Sequence, residues 1–227
     1  MEKERRVLVV FPHPDDEAFG VSGTIAAYIQ QGVPVTYACL TLGEMGRNLG
    51  NPPFATRESL PKIRKAELEA AAKAMGLTDL RMMGYRDKTL EFENDEELAN
   101  MVFGLIEELD PSLIITFYPG YSVHPDHEAT ARAVVRAVRR LPKESRPKLH
   151  CVAFSNNHEA EIGPADIVYD VSATWEQKLD TLKAHISQTA WMLVELEEQL
   201  TKNSPDLIAR WHKERFWTYD WEKDKVL

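Results

Sequence analysis

Short hydrophobic runs alternate along the chain with longer segments in which hydrophobic residues recur every three or four positions. The runs predict buried strands at Val7–Phe11, Val33–Leu42, Asp79–Met83, Leu113–Tyr118, Leu149–Phe154 and Ile167–Val171. The periodic segments predict helices at Glu17–Gln31, Ile63–Met75, Asp95–Leu109, Glu128–Leu141 and over most of Thr174–Leu200. Such alternation predicts an α/β fold that is Rossmann-like and doubly wound, with a mostly parallel sheet and helices on both faces.

The chain length sets the number of domains. Its 227 residues fit one large α/β domain and leave little room for a second. We expect one domain over 1–227, with a helical, aromatic-rich segment from about 174 to 227 packed on it. All five tryptophans lie in that segment, between Trp175 and Trp221. Packing of the last helices is the favoured interpretation, and a subunit contact in a homo-oligomer is the alternative.

Composition narrows the choice of partner and compartment. A formal net charge of −9 argues against nonspecific binding of nucleic acid and against docking to anionic lipid. No hydrophobic run approaches the ~20 residues that cross a bilayer, and no signal-peptide pattern opens the chain. Cys39 and Cys151 fall in strand-like runs, which is typical of buried thiols in a reducing compartment. We therefore expect a soluble cytoplasmic protein.

Two short clusters of histidine and carboxylate follow the first and fourth predicted strands. They are His13–Glu17, with the sequence His-Pro-Asp-Asp-Glu, and His124–His127, with the sequence His-Pro-Asp-His. In a doubly wound sheet these two strands are neighbours, and a crevice opens at their carboxyl ends. The clusters would then lie side by side. His13, Asp16 and His127 would form a metal site with open positions for water and a substrate oxygen.

The other polar residues of the clusters fit the hydrolysis of an amide. Asp15 could take a proton from water as a general base. His124 could stabilise an oxyanion or protonate a leaving amine, with Asp126 holding its imidazole and raising its pKa. An aspartate after a strand is also a common helix N-cap. Capping would explain only one of Asp15 and Asp16, and the Glu or Gln of a capping box is missing.

Quoted together, Phe11-Pro-His-Pro-Asp-Asp-Glu17 and His124-Pro-Asp-His127 resemble the PIG-L (LmbE-like) family of zinc-dependent deacetylases, which act on N-acetylglucosamine conjugates. Thr41–Glu44 and Lys178–Gln188 resemble the family's loop after the second strand and its late helix. The resemblance spans most of the chain, and the two clusters are its most specific part.

The resemblance implies a role for each cluster residue. It implies Asp15 as the general base, and His124, supported by Asp126, as the group that stabilises the tetrahedral intermediate. It implies that Zn²⁺ is held by three ligands, His13, Asp16 and His127. Iron or cobalt could fill the same ligands, so the identity of the metal stays open.

The overall pattern is most similar to the bacillithiol-pathway deacetylases of the second type, which implies N-acetylglucosaminyl malate as the substrate. Arg57 is implied to contact that substrate. Arg47 would suit a dicarboxylate, although a solvated loop position explains it equally well. Glu44 could bond a sugar hydroxyl or cap its own loop.

Three alternatives differ in chemistry. Another N-acetylglucosaminide, such as a chito-oligosaccharide, is the nearest alternative substrate. A metal-dependent phosphoesterase would want more carboxylates, often for two metals. A noncatalytic sugar-binding module would not need Asp15 and His124 beside three ligands. The roles of Asp87, His158 and His185 stay open.

Overall fold

The computed structural model describes residues 1–201, 209–223 and 226. In this part of the chain the strands form one seven-stranded sheet in the order β3-β2-β1-β4-β5-β7-β6. The strands are β1 (Val7–Phe11), β2 (Val35–Cys39), β3 (Asp79–Met82), β4 (Leu113–Phe117), β5 (Lys148–Val152), β6 (Ile167–Asp170) and β7 (Lys213–Thr218).

Strand β1 lies at the centre of the parallel part of the sheet. It pairs in parallel with β2 on one side and with β4 on the other. Every residue of β1 is fully buried, as expected for a hydrophobic strand covered on both faces. The predicted neighbouring of the first and fourth strands is confirmed, and with it the crevice at their carboxyl ends.

Helices cover both faces of the sheet. Val102 and Val134 belong to the core on one face, and Ile25 and Leu68 belong to the core on the other. The predicted α/β class with helices on both faces is confirmed. The helices are α1 (Asp16–Gly20), α2 (Ser22–Gln30), α3 (Leu60–Met75), α4 (Asp95–Leu109), α5 (Pro125–Arg139), α6 (His158–Ile162), α7 (Trp175–Ala184) and α8 (Ile186–Thr201).

Two predicted helices are each divided in the structure. The helix predicted over Glu17–Gln31 is divided into α1 and α2, because Val21 leaves the helical conformation with a φ of −140°. The helix predicted over most of Thr174–Leu200 is interrupted at His185, whose ψ is 40°. The His185 ring is fully buried, so this break directs a polar side chain into the protein.

Strand β7 is absent from the sequence prediction. Its sequence, Lys-Glu-Arg-Phe-Trp-Thr, carries three charges in a row and lacks a hydrophobic run. It pairs antiparallel with both β5 and β6. A strand with this sequence can pair inside the protein because the charge of Glu214 is neutralised there. Nζ of Lys178, on α7, lies 2.9 Å from Oε1 of Glu214. Glu214 also accepts hydrogen bonds from the backbone amides of Gly23 and Thr24 at the start of α2.

The tryptophans of the C-terminal segment have different environments. Trp217 is buried, the rings of Trp175 and Trp211 lie 6.4 Å apart, and Trp191 is 57% exposed. Residues 202–208, 224, 225 and 227 of this segment lie outside the described residues. Its packing as a unit and any homo-oligomer stay predictions.

Both cysteines, Cys39 and Cys151, are buried and free, as expected. Among the described residues, no helix combines the length and hydrophobicity needed to cross a bilayer.

The Lys178–Glu214 pair generates a stability prediction. Lys178→Met removes one charge and leaves the other buried without compensation, which we expect to lower the free energy of unfolding by about 3 kcal/mol. Urea unfolding followed by circular dichroism measures the change. The double variant Lys178→Met/Glu214→Gln should recover part of the loss, because no unpaired charge stays buried, while the glutamine amide oxygen keeps one of the two backbone hydrogen bonds. An unchanged unfolding midpoint in Lys178→Met would show that the pair does not anchor β7.

Candidate active site

His13 lies just beyond the carboxyl end of β1 and is nearly buried, with 9% of its surface exposed. Its Nε2 atom lies 3.1 Å from Oδ1 of Asp87 and 3.2 Å from Oδ2 of Asp126. Its Nδ1 atom lies 3.1 Å from Nε2 of His127 and 3.6 Å from Oδ2 of Asp16. Burial lowers the pKa of His13, but hydrogen bonds to Asp126 and Asp87 outweigh burial and raise the pKa to about 10. A metal bound at Nδ1 therefore displaces a proton.

His127 is held at the start of α5 by stacking and by a hydrogen bond. The Phe117 ring, at the end of β4, stacks on the imidazole at 4.1 Å. The Nδ1 atom of His127 lies 3.0 Å from the carbonyl oxygen of Ser122. A carbonyl only accepts, so Nδ1 carries the proton and Nε2 presents its lone pair. Asp87 and Asp126 likewise only accept hydrogen bonds when ionised, so Nε2 of His13 carries a proton. When the His13 ring is neutral, its lone pair is therefore on Nδ1.

Asp16 completes this group. Its Oδ1 lies 3.3 Å from Nε2 of His127, and its Oδ2 accepts a hydrogen bond of 2.8 Å from the backbone amide of His13. Burial raises the pKa of Asp16, but the charges and hydrogen bonds of His127 and His13 prevail and lower it. Asp16 is therefore a carboxylate at neutral pH.

The ring nitrogens of His13 and His127 and the carboxylate of Asp16 lie close together, with the two histidines facing different oxygens of Asp16. Their separations of 3.1 to 3.6 Å compare with roughly 3.4 Å between ligands at ordinary zinc distances in a tetrahedron. Among the described residues, two groups bring one ligand atom from each of three residues within 4.8 Å of one another, namely His13 with His124 and His127, and His13 with Asp87 and Asp126. In the second group, Asp87 and Asp126 face Nε2 of His13. This is the usual arrangement of carboxylates that accept the other ring N–H of a metal-binding histidine. A possible metal site built from histidines and aspartates therefore lies around His13.

Asp15 lies beside this group in an unusual conformation. It occupies the N-cap position of α1 with a φ of 104°, and its side chain makes no capping hydrogen bond. Its Oδ2 instead accepts a hydrogen bond of 2.9 Å from Arg64. Burial raises the pKa of Asp15, the Arg64 charge lowers it and the Asp16 charge raises it, with a net pKa of about 6. A carboxylate with that pKa can exchange protons near neutral pH.

Arg64 is a site residue that the sequence analysis missed. It is 3% exposed, and its guanidinium also donates to the carbonyl oxygens of Gly43 and Pro14. A Cβ on Gly43 would lie 1.7 Å from Nη1 of Arg64, so only glycine leaves room. A signal was present in the sequence, because Arg64 falls four residues from Leu60 and from Leu68, on the hydrophobic stripe of α3.

Asp126 has a different partner from the one predicted. Its carboxylate is fully buried, faces His13, and accepts hydrogen bonds from the backbone amides of Lys88 and Leu90. Asp126 contacts His124 through its own backbone amide, which donates to Nδ1 of that ring at 3.1 Å. The Asp126 charge raises the pKa of His124, as expected, but burial and the charges of His13 and His127 outweigh it, so the pKa is lowered.

Comparison with known proteins agrees with this geometry. The family model described as "GlcNAc-PI de-N-acetylase" (PIG-L) matches residues 8–138, which include both clusters. A protein of Bacillus anthracis named "Probable N-acetyl-alpha-D-glucosaminyl L-malate deacetylase 2" is 54% identical over 225 residues, which cover 99% of each chain. The chain belongs to the PIG-L family. Deacetylases of this family depend on a bound metal.

Two solved structures share the fold. N,N'-diacetylchitobiose deacetylase from Pyrococcus horikoshii aligns with a TM-score of 0.70 at 23% identity, over 95% of this chain and 84% of that one. GalB, a 4-carboxy-2-hydroxymuconate hydratase from a Pseudomonas, aligns with a TM-score of 0.71 at 17% identity, over 98% and 99%. At these identities the likeness concerns the fold, and the site residues must decide the reaction.

The predicted substrate residues lie in the PIG-L loop after β2. Arg57 is exposed, and its guanidinium donates to the carbonyl oxygen of Gly46 at 2.7 Å, so it stabilises the loop. Glu44 accepts a hydrogen bond of 3.1 Å from the amide of Asp87, so it links its loop to the loop after β3. Arg47 is exposed. A substrate contact for Arg57, Glu44 or Arg47 stays a prediction.

Asp87, left open by the sequence, joins this loop to the centre. Its Oδ2 accepts from the amide of Met45 at 2.7 Å, while Oδ1 faces His13. Burial raises the pKa of Asp87, but the hydrogen bond and charge of His13 lower it to about 2. Asp87 is therefore ionised and orients the His13 ring together with Asp126.

Two other open histidines have structural partners. The Nε2 atom of His185 lies 2.5 Å from Oε1 of Glu17, and both side chains are fully buried. Glu17 also accepts from Tyr37 and from the amide of Asp15, so this pair supports the turn that carries Asp15. The His158 ring packs against the Trp217 ring, with the ring centres 5.0 Å apart. It does so instead of packing against the metal-site group, which consists of His13, Asp16 and His127.

The contacts of Asp126 generate a prediction about metal affinity. Asp126→Asn weakens the acceptor that orients His13, so we expect the Kd for Zn²⁺ to rise about 10- to 100-fold. Competition with a chromophoric chelator measures the change. His124→Asn is the matched control, because asparagine keeps an N-cap acceptor for the amide of Asp126 and should leave metal affinity near that of the unmodified protein. If His124→Asn loses affinity and Asp126→Asn does not, the orienting role is misassigned.

Proposed function

We propose that this protein removes the acetyl group from N-acetylglucosaminyl malate by metal-dependent hydrolysis, in the biosynthesis of bacillithiol. The 54% identity over nearly the whole length to a relative of that name supports the substrate. The observation that carries the reaction is the meeting of His13 Nδ1, His127 Nε2 and the Asp16 carboxylate next to Asp15. A cytoplasmic location follows from the same proposal.

We assign Zn²⁺ as the metal, with His13, Asp16 and His127 as its ligands. Mixed nitrogen and oxygen ligation suits this ion, and three protein ligands leave room for water and substrate. When bound, the ion would lower the pKa of water and polarise the acetyl carbonyl.

Asp15 is the general base of the proposed mechanism. Its carboxylate removes a proton from water as the water oxygen attacks the acetyl carbon. Arg64 supports this role in two ways, because its hydrogen bond orients the carboxylate and its charge keeps the pKa from rising further. Asp15 then delivers the proton to the amine nitrogen as the carbon–nitrogen bond breaks and acetate forms.

His124 stabilises the tetrahedral oxyanion as a neutral imidazole. Its Nδ1 accepts the amide hydrogen of Asp126, so the ring proton is on Nε2 and can be donated to the oxyanion. The lowered pKa of His124 agrees with a neutral ring. A His124 that protonates the leaving amine would have to be cationic, and the surroundings of the ring favour a neutral donor instead.

The arrangement of carboxylates favours this reaction over the alternatives. A two-metal phosphoesterase would use Asp87 and Asp126 as ligands of a second ion, but both oxygens of Asp126 and Oδ2 of Asp87 already accept backbone amide hydrogens. A sugar-binding module would not require a carboxylate with a pKa near 6 beside the metal ligands.

Turnover of a substrate panel tests the proposed function. We expect zinc-loaded protein to release free amine from N-acetylglucosaminyl malate faster than from the inositol conjugate or diacetylchitobiose, and to release no phosphate from sugar phosphates. Asp15→Asn should retain its metal and lose at least ~100-fold in rate. Amine detection and metal analysis on the same samples separate the two effects. Full turnover by Asp15→Asn would remove Asp15 as the base.

The pH dependence of turnover tests the pairing of Asp15 with Arg64. A general base must be ionised, so kcat/KM should fall as the pH drops through the pKa of Asp15, which is about 6 without metal and lower beside a bound cation. Arg64→Met removes the charge that lowers this pKa, so the acidic limb should move to higher pH. Arg64→Lys keeps the charge and should hold the limb near its original position. An unmoved limb in Arg64→Met would contradict the pairing.

A further inference from the structure

Residues with a left-handed backbone concentrate around the active site. In the described part of the chain, four residues other than glycine have a positive φ, namely Asp15, Lys88, Asp110 and Val123. Asp110 ends α4, Asp15 belongs to the first cluster and Val123 precedes the second, while Lys88 contacts Asp126 of the second cluster through its amide. Glycine adopts this conformation at lower cost, so a larger side chain at such a position motivates a search for its role. For Asp15, the proposed mechanism identifies that role.

Lys88 is fixed next to the metal-site group through its backbone. Its amide, at a φ of 62°, donates a hydrogen bond of 2.7 Å to Oδ2 of Asp126, the atom that lies 3.2 Å from Nε2 of His13. The preceding residue, Asp87, also faces His13. Glycine would provide the same amide, so the backbone alone does not explain a lysine at this position.

The side chain of Lys88 is exposed and has no hydrogen-bond or ion-pair partner among residues 1–201, 209–223 and 226. Arg47 and Arg86 are exposed on the same two loops, which the Glu44 and Met45 contacts to Asp87 hold together. The acidic residues Glu44 and Asp87 of these loops are engaged by backbone amides and by His13, so they do not pair with Lys88. A cation without an acidic partner in the described part of the chain favours an anionic substrate group.

The chemistry of the substrate brings such a group close to Lys88. In a 2-acetamido sugar, the aglycone is attached to the carbon next to the one that carries the amide. When the acetyl group lies at the metal ligands, an acidic aglycone lies within a few bonds of it. The guanidinium of Arg57 is already bonded to the loop carbonyls of Gly46 and Glu44.

We propose that Lys88 is a specificity-determining residue whose ammonium binds a carboxylate of the aglycone. The inference rests on the proposed deacetylase function and adds the residue that selects an acidic conjugate. A carboxylate remote from the reacting amide contributes equally to binding in the ground state and in the transition state, so its loss should alter KM and leave kcat unchanged.

The experiment compares an acidic and a neutral substrate. In Lys88→Met, we expect KM for N-acetylglucosaminyl malate to rise about 10-fold at unchanged kcat, with no change for methyl N-acetyl-α-glucosaminide. Lys88→Arg should restore most of the affinity. Lys3→Met, at an exposed position before β1, is the matched control and should change neither substrate. Added salt should raise KM for the malate conjugate more in the unmodified enzyme than in Lys88→Met.

Binding without turnover gives an independent measurement. In an Asp15→Asn background, calorimetric titration should show an about 10-fold weaker Kd for the malate conjugate when Lys88 is also replaced by methionine. Equal losses on both substrates would overturn the proposal, because they would indicate disturbance of Asp126. Unchanged kinetics would overturn it as well. If the unmodified enzyme handles the neutral and acidic conjugates equally, the malate assignment itself fails, whatever the variants show.

Discussion

The parallel pairing of β1 with β4 is the constraint on which the rest of this structure depends. Residues Val7 to Val9 pair with Leu113 to Ile115, and the rings of Phe11 and Phe117 still meet at 4.6 Å where the strands end. The two histidine clusters follow directly. Because both strands are buried along their whole length, the packing of their hydrophobic residues fixes the distance between the two clusters.

Each residue of the candidate active site is oriented by a neighbouring group. This lowers the loss of side-chain entropy when the site forms. His13 is oriented by Asp87 and Asp126, His127 by the Ser122 carbonyl, Asp16 by a backbone amide and Asp15 by Arg64. These contacts fix which ring nitrogen and which carboxylate oxygen face the site. They also explain why the buried charges are tolerated, since each one has an opposite charge or a hydrogen-bond donor within reach.

The PIG-L site thus combines rigid and variable parts. The metal-site group sits at strand ends and on the first turns of α1 and α5, where backbone geometry is well determined. The loops that carry Glu44 to Arg47 and Arg86 to Lys88 meet above it and are joined through Asp87. A division of this kind allows one hydrolytic centre to serve different conjugates, because the rim can change without moving the ligands.

The sequence by itself determined the α/β class, most strand and helix positions, and the convergence of two clusters at neighbouring strand ends. Hydrophobic periodicity is a local property of the sequence, and the rules of chain topology apply to α/β proteins in general. Both can therefore be used before the structure is known. The sequence analysis missed β7, because its charged sequence becomes a strand only when Lys178 neutralises Glu214 inside the protein. It missed Arg64 and assigned the wrong partner to Asp126 for the same reason. Which buried charge faces which partner depends on contacts between distant segments, and only the tertiary structure decides them.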